Sequence, residues 1–413
     1  MNLLHIERLR LENFRCFEAL NVAFEPDTTV IFAENGGGKT ALLTGLAMAV
    51  ALLQPRHSKE LSLDAERDAR RVRVSSDRRE PVGPCTVSCT ATIGDRPTVE
   101  WSVTASPTSG RRTVRTRDAH DAIEHVRRPG ERWPIIGYYG TGRLSGTHKP
   151  RSKARAFQDR WDGYAGCLDP SATDGPLVEW LESEVLGDLS RLRREEPERR
   201  LDLAVLNAVK RASRDIADIW FDPAIRLPMV RFQKGHEATW SELSDGFHVF
   251  IGLVGDIARR AVILNSQDGA QAPLLAEGVV LIDEIDLHLH PRWQRVVLKG
   301  LRAAFPKLQF IVTTHSPQVL SSAENQQVRR LANWTVQEST VFVEGRDSNA
   351  ILRDWFGTDD RDEQGRNPLQ ELHAAIDEGR LEEARQQLAA LQGRWGTMDP
   401  ALIRAARLLD EEV

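Results

Sequence analysis

The stretch that most constrains this chain is residues 22–53, VAFEPDTTVIFAENGGGKTALLTGLAMAVALL. A short β-rich run, TTVIF, enters a turn with three consecutive glycines. An apolar run of helix-forming residues follows. The order is strand, glycine loop, helix. Within it, Ala33 to Thr40 (AENGGGKT) has the spacing of a phosphate-binding loop, with Gly38, Lys39 and Thr40 at the helix start. Asn35 sits just ahead of the glycines. Backbone N–H groups of Gly36, Gly37, Gly38 and on to Ala41, with the positive helix end behind them, suit bound phosphates. Lys39 would reach the β- and γ-phosphates of ATP, and Thr40 would ligate Mg²⁺. Ala33 replaces the usual first glycine, and the three glycines that follow still supply backbone freedom.

Three more segments fit the same chemistry. Residues 274–283, LLAEGVVLID, end in a continuous apolar strand of the kind buried in a parallel sheet, and VVLIDE (279–284) closes it with two carboxylates. Asp283 can hold the Mg²⁺ shell, and Glu284 can polarise the attacking water. LQFIVTT (308–314) is a second buried strand, and His315 after it could contact the γ-phosphate. Leu243-Ser244-Asp245-Gly246 matches the core of the ABC signature LSGGQ, with Asp for the first Gly. HLHP (288–291) invites a metal reading with His315, but the ligand spacing of a metal site is missing.

Elsewhere, residues 3–11 alternate like a half-buried strand, and WPIIGYYGTGRL (133–144) reads as a strand entering a glycine-rich turn. Residues 54–132 are Arg-rich and broken by Pro81, Pro84, Pro97 and Pro107, which predicts short strands and loops. Helical periodicity covers 176–220, from Leu177 and Trp180 through Val209 to Ile216. PRWQRVVLKGLRAAF (291–305) predicts one helix with Pro in its first turn. Residues 369–391 read as helix, Gly turn, helix, and Asp399-Pro400 starts a last helix.

Composition narrows the function classes. The 413 residues are 41% apolar and 28% charged, as in an ordinary globular protein. No run approaches the roughly 18 to 20 apolar residues of a membrane span. The charged opening lacks a signal-peptide core, so a cytoplasmic protein with no membrane partner is expected. Four cysteines argue against a disulfide scaffold, and Cys85 and Cys89 alternate like strand positions. The net charge of −5 hides an asymmetry. Residues 56–160 hold 22 Lys+Arg against 13 Asp+Glu, and residues 341–413 hold 9 against 16. A basic middle could track the phosphates of DNA or RNA, and an acidic end could dock a basic partner.

Together the four motifs resemble the ABC-type ATPase heads of the RecF, SMC and OLD group. The opening LHIERLRLENFRCFEAL is similar to that group's first strand. YYGTGRL, LIDEIDLHLHPRWQ, FIVTTHSPQVL and GRDSNAILRDWFG narrow the resemblance to compact ATPases of anti-phage defence loci, including PtuA of Septu systems and retron ATPases. The resemblance covers 1–53 and 240–395. It implies an α/β, ABC-type P-loop NTPase head with a mixed or parallel core sheet flanked by helices, an inserted helical and β-rich lid, and a short helical tail. It also implies a homodimer or higher oligomer with each ATP between one chain's P-loop and the other's Ser244 and Gly246. Arg15 and Asn35 would lie near the nucleotide. Lys39, Glu284 and His315 would be the catalytic residues. Such an ATPase resembles a sensor and scaffold for a separate HNH-type nuclease.

The expected division is 1–55 for the first lobe of the head, 56–235 for the insert, 236–340 for the second lobe and 341–413 for a partner-docking tail. One alternative is a RecF-like repair ATPase using the basic middle on DNA. Another is an OLD-like ATPase with its own nuclease, because STVFVEGRDSNAIL (339–352) resembles the opening of a TOPRIM fold with Glu344 as its acid. Its Asp360-Arg361-Asp362 follows only 16 residues after Glu344, with no apolar strand before it. A transporter subunit would need a Q-loop glutamine, and none is evident.

Overall fold

The computed structural model describes residues 3–54, 61–144, 159–171, 175–194, 200–337, 342–357, 361 and 363–411. Its centre is a six-stranded sheet in the order Thr335–Gln337, Val328–Ala332, Thr28–Ala33, Leu308–Thr314, Gly278–Ile282, Ile135–Tyr139. The last five are parallel, and only the Thr335–Gln337 edge runs antiparallel. The four strands from Thr28–Ala33 to Ile135–Tyr139 are buried at every position. That is why they read as continuous apolar runs rather than alternating ones.

A second, antiparallel sheet has the order Phe17–Ala23, His5–Phe14, Cys85–Ile93, Arg96–Ala105, Arg112–Arg115. Cys85–Ile93 alternates buried and half-buried residues, with Cys85 and Cys89 on the inner face. Arg112–Arg115 is exposed throughout. Trp101 Nε1 donates to the Ala49 carbonyl at 2.8 Å, which ties this sheet to the helix Lys39–Ala51.

The expected insert, 56–235, supplies Cys85–Ile93, Arg96–Ala105 and Arg112–Arg115 to the antiparallel sheet and the Ile135–Tyr139 edge to the parallel one. Two expectations about helices need correcting. Helical periodicity stops at Ala212. Ile216–Asp222 is a strand paired with Leu227–Phe232, its IADIWFD alternating across two faces. The helix expected over 291–305 is two, Pro291–Gln294 and Val297–Ala304, broken where Val296 takes φ −119°.

The chain divides into two compact units, Met1–Arg346 and Asp347–Val413. The second holds the helices Ser348–Phe356, Glu363–Asp377, Leu381–Trp395 and Pro400–Glu411. Its core includes Leu372, Ile376, Leu388, Leu391, Leu402 and Leu409. Asp399 caps the last helix by accepting from the Ala401 and Leu402 N–H groups, and it pairs with Arg361 at 2.7 Å. Among the described residues, no helix is long and apolar enough to cross a membrane.

Candidate functional site

The strand Thr28–Ala33 delivers the chain into the loop Glu34–Gly38. Gly38, at φ 95°, leads into the helix Lys39–Ala51. A Cβ on Gly38 would lie 2.6 Å from the Phe17 ring and 2.9 Å from Cys16 Sγ. One on Gly37 would lie 2.7 Å from Ala33 Cβ. The loop is thus pressed flat, and only glycine fits its last two positions. Glu34, Asn35, Gly36 and Thr40 are exposed, while Gly37, Gly38 and Ala41 are half-buried. The first N–H groups of the helix have no intrahelical acceptor, which is the usual setting for an anion.

Lys39 is 6% exposed, and its Nζ donates to the Ala33 carbonyl at 2.9 Å. Burial lowers its pKa, against the opposing pull of Glu284, Asp283 and Asp286. Those carboxylates arrive from the strand Gly278–Ile282, one strand removed from the loop strand. Asp283 is buried and accepts from Thr40 Oγ1 at 2.8 Å and from Thr313 Oγ1 at 2.6 Å. Thr313 Oγ1 in turn accepts from the Glu284 N–H at 2.7 Å. Next along, Thr314 Oγ1 donates to Asp286 Oδ1 at 2.6 Å, and the His315 N–H reaches the same oxygen at 3.3 Å. The half-buried His315 has its pKa lowered by burial and then by the charge of Lys39, which favours neutral imidazole. Lys39, Thr40, Asp283, Glu284 and His315 therefore meet at the carboxyl ends of three adjacent parallel strands, where ligands of open α/β sheets bind.

Sequence reasoning gave Arg143 no role. It lies in the turn just past the Ile135–Tyr139 edge and is 8% exposed. Its guanidinium donates to the Gly140 and Asp283 carbonyls, each at 2.8 Å, and to the Glu284 carbonyl at 2.7 Å. Glu284 has φ 47°, in the left-handed region that a glutamate avoids. Thr313 on its N–H and Arg143 on its carbonyl hold both sides of that residue. The available signals were a cation directly past a strand in YYGTGRL and a hydroxyl before His315 in TTHSP.

Other residues are held by contacts of their own. The Arg15 guanidinium is engaged by Asp68 at 3.1 and 3.2 Å, and Asp68 also takes Arg67 at 2.8 Å. Its neighbours Cys16 and Phe17 back the loop at Gly38. Ser244 precedes the helix Asp245–Leu264, exposed and with no capping bond from its hydroxyl. Gly246 lies against the HLHP loop, where a Cβ would come within 2.7 Å of the His288 carbonyl. His290 in that loop accepts from the Arg292 N–H at 3.2 Å, as a helix cap. Among the described residues, no group of three or more His, Cys, Asp or Glu could hold a metal ion. Glu344 is an exposed turn residue rather than one at a strand end. Asp360 and Asp362 lie outside the described residues.

Farther down the signature helix, Asp256 is buried with Arg259 at 2.6 Å and Arg260 at 2.7 Å. Tyr139 Oη donates to the same carboxylate at 2.8 Å. The Tyr139 carbonyl accepts from the Asp283 N–H at 2.8 Å. The signature helix is thereby fixed to the strand that precedes Arg143.

Comparison with known proteins gives the same direction. Residues 29–321 match the family model described as "AAA domain, putative AbiEii toxin, Type IV TA system". The chain is 24% identical over 387 residues to the "Retron Vc95 probable ATPase" of Vibrio cholerae serotype O1 biovar El Tor, covering 79% of this chain and 73% of that one. It is 35% identical over 176 residues to the "Retron Ec83 probable ATPase" of Escherichia coli, 42% of this chain and 32% of the other. Over 76 residues it is 50% identical to the "Septu protein PtuA" of Bacillus mycoides strain KBAB4, 18% of this chain and 10% of that protein. The matches thus span most of the first relative and a third or less of the other two. Among solved structures, the SMC head domain from Thermotoga maritima aligns with a TM-score of 0.46 at 14% identity, covering 82% of this chain and 100% of that one. The match to the family model covers well over half of the sequence. The chain belongs to this AAA domain family of ATPases and is similar to the ATPases of retron and Septu anti-phage systems.

Proposed function

We propose that this chain binds ATP with Mg²⁺ at the Gly36–Ala41 loop and hydrolyses it in a head-to-head pair. The observation that carries the reading is the hydrogen-bonded chain Thr40–Asp283–Thr313–Glu284 across three neighbouring strands. It places two hard oxygen ligands, Thr40 and Asp283, side by side, which suits Mg²⁺. When bound, the metal would offset charge developing on the phosphate oxygens. Lys39 would leave the Ala33 carbonyl for the β- and γ-phosphates, an exchange of one acceptor for a charged one. Glu284 would accept the proton of the attacking water. Neutral His315 would donate its ring N–H to a γ-phosphate oxygen. Ser244 and Gly246 would act on the nucleotide of the opposite copy, an arrangement supported by the exposed, uncapped Ser244 hydroxyl.

Within a cell, we infer that the ATPase acts as sensor and scaffold of an anti-phage complex whose cutting is done by a separate HNH-type nuclease. The similarity to retron and Septu ATPases supports this reading, as does the acidic helical unit Asp347–Val413, a docking site for that partner. Affinity purification of the tagged chain from its native locus tests it. A small HNH-type nuclease in fixed ratio, lost with Leu381→Asp, is the expected result. Recovery of recombination proteins instead would favour a RecF-like repair role. The exposed arginine strand Arg112–Arg115 and a 37% match over 60 residues to the RecF of Halalkalibacterium halodurans, strain ATCC BAA-125, keep that second reading open to test.

A further inference from the structure

A second concave site shares no lining residue with the nucleotide cluster. Its walls come from the end of the helix Asp202–Ala212 with the following turn, from Pro291–Gln294, and from Val297–Ala304. The cavity holds about 390 Å³, within the range of small-ligand and anchor pockets. The two longer helices meet closely there, since a Cβ on Gly300 would lie 2.4 Å from the Ala212 carbonyl. Phe250, Trp293, Val296 and Val297 make an apolar wall, and Val296 is 50% exposed.

Charge around this wall is one-sided. Arg211, Arg214, Arg292 and Lys299 line the cavity. Asp215, the one acid among the described lining residues, is already engaged by Trp293 Nε1 at 2.9 Å and Arg292 at 3.8 Å. The lining side chains thus offer cations and apolar surface, with Ser213, itself buried, as the one neutral hydroxyl. A nucleobase would present edge donors that find no free carboxylate or amide acceptor among those side chains. A leucine or phenylalanine side chain has nothing to satisfy. Carboxylates beside it would meet the cations at the rim, the arrangement of an apolar anchor with a polar surround.

We propose that this cavity is a docking site for an acidic protein segment that inserts one large apolar side chain. Trp293, which forms the wall, packs edge-on against Phe247 with ring centroids 4.0 Å apart and against Phe250 at 5.3 Å. Phe247 lies in the first turn of the helix that Ser244 opens. An inserted side chain would therefore press on the signature segment, so docking would alter ATP turnover. That second effect rests on the proposed role of Ser244 and Gly246, whereas docking itself does not.

The test uses the full chain and a fluorescein-labelled heptapeptide of Glu and Asp around one central Phe, followed by anisotropy at low salt without nucleotide. An Ala-centred peptide and an oligo-dT of equal charge are the controls. The Phe peptide is expected to bind at least about tenfold tighter than the Ala peptide, because its ring buries far more apolar surface. Arg214→Glu combined with Lys299→Glu should abolish binding, and Ala303→Phe should block it by filling the cavity with the charges intact. A folded double variant with normal ATP affinity separates lost docking from lost structure. Equal binding of the two peptides, tighter binding of oligo-dT with the same variant sensitivity, or no binding at all would overturn the proposal. Docking without any change in ATP turnover would keep the site and remove the coupling, while the role of Ser244 and Gly246 would still stand or fall by their own variants.

Discussion

Arg143 holds the backbone carbonyl of Glu284 at 2.7 Å while Thr313 holds its N–H, also at 2.7 Å. A glutamate in the left-handed region costs about 1 to 2 kcal/mol relative to its ordinary conformation. These two hydrogen bonds offset that cost and fix where the carboxylate points. The proposed water-activating group is thus aimed by its backbone, and the aim is set by a cation from a neighbouring strand.

The first prediction follows from that relationship. Arg143→Ala should lower kcat by about 10²-fold, the scale of a 1 Å misplacement at a reacting group. The KM for ATP should change little, because Arg143 touches carbonyls rather than the P-loop. Arg143→Lys should recover part of the rate with a single ammonium. Steady-state phosphate release with a fluorescent ATP analogue for binding separates these quantities. A large loss of ATP affinity with normal kcat would contradict the positioning role.

Glu284→Gln should leave ATP binding intact and reduce hydrolysis by roughly 10²- to 10⁴-fold, the usual contribution of a general base. The ATP-bound pair should then accumulate. Light scattering with and without ATP is the measurement. A variant that binds ATP and remains monomeric would remove the head-to-head arrangement while leaving the nucleotide site.

The glycine loop predicts a graded series. Gly38→Ala meets both the Phe17 ring and a φ of 95°, and Gly36→Ala meets only a φ of 78° in open space. ATP affinity should therefore fall more for Gly38→Ala than for Gly36→Ala, by isothermal titration calorimetry. The reverse order would mean that the loop rearranges on binding.

Asp256→Ala should destabilise the protein by about 3–5 kcal/mol, because it strands two buried guanidinium groups. Burial alone would raise the Asp256 pKa, but Arg259 and Arg260 outweigh it and hold the carboxyl well below the usual range. A depressed folded pKa means that its contribution is fully present above about pH 4, the unfolded value, and is lost as pH falls towards the folded one. Urea unfolding across that range should show wild type losing stability with acid and Asp256→Ala losing less. Parallel curves would show that the cluster is not the source.

Much of the architecture was legible because buried parallel strands carry a distinctive signal. VVLI is apolar throughout, and FIVTT and TTVIF join three consecutive apolar residues to β-branched threonines, a run without the polar alternation of solvent-facing strands. The glycines of the loop were legible for a similar reason, since few other sequences meet its backbone and steric demands. The middle of the chain was harder to read. Cys85–Ile93 and Arg96–Ala105 alternate cleanly, but alternation says which face is buried and not which sheet a strand joins. Ile216 misled because an apolar residue seven positions after Val209 fits a helical face as well as the start of a strand.

By itself, the sequence determined the local chemistry: a strand, a glycine loop and a helix suited to phosphate, and carboxylates at the end of a buried strand. These follow from spacing along one segment, where a few residues fix both backbone and composition. Only the tertiary structure decided that Arg143 reaches the Asp283 and Glu284 carbonyls across 140 and 141 residues. It likewise decided that Asp68 takes the Arg15 guanidinium and that Trp293 joins a cationic cavity to the signature helix. Those pairings depend on strand order and on which surfaces are covered, and hydrophobic burial and long-range hydrogen bonding set both over the whole chain at once.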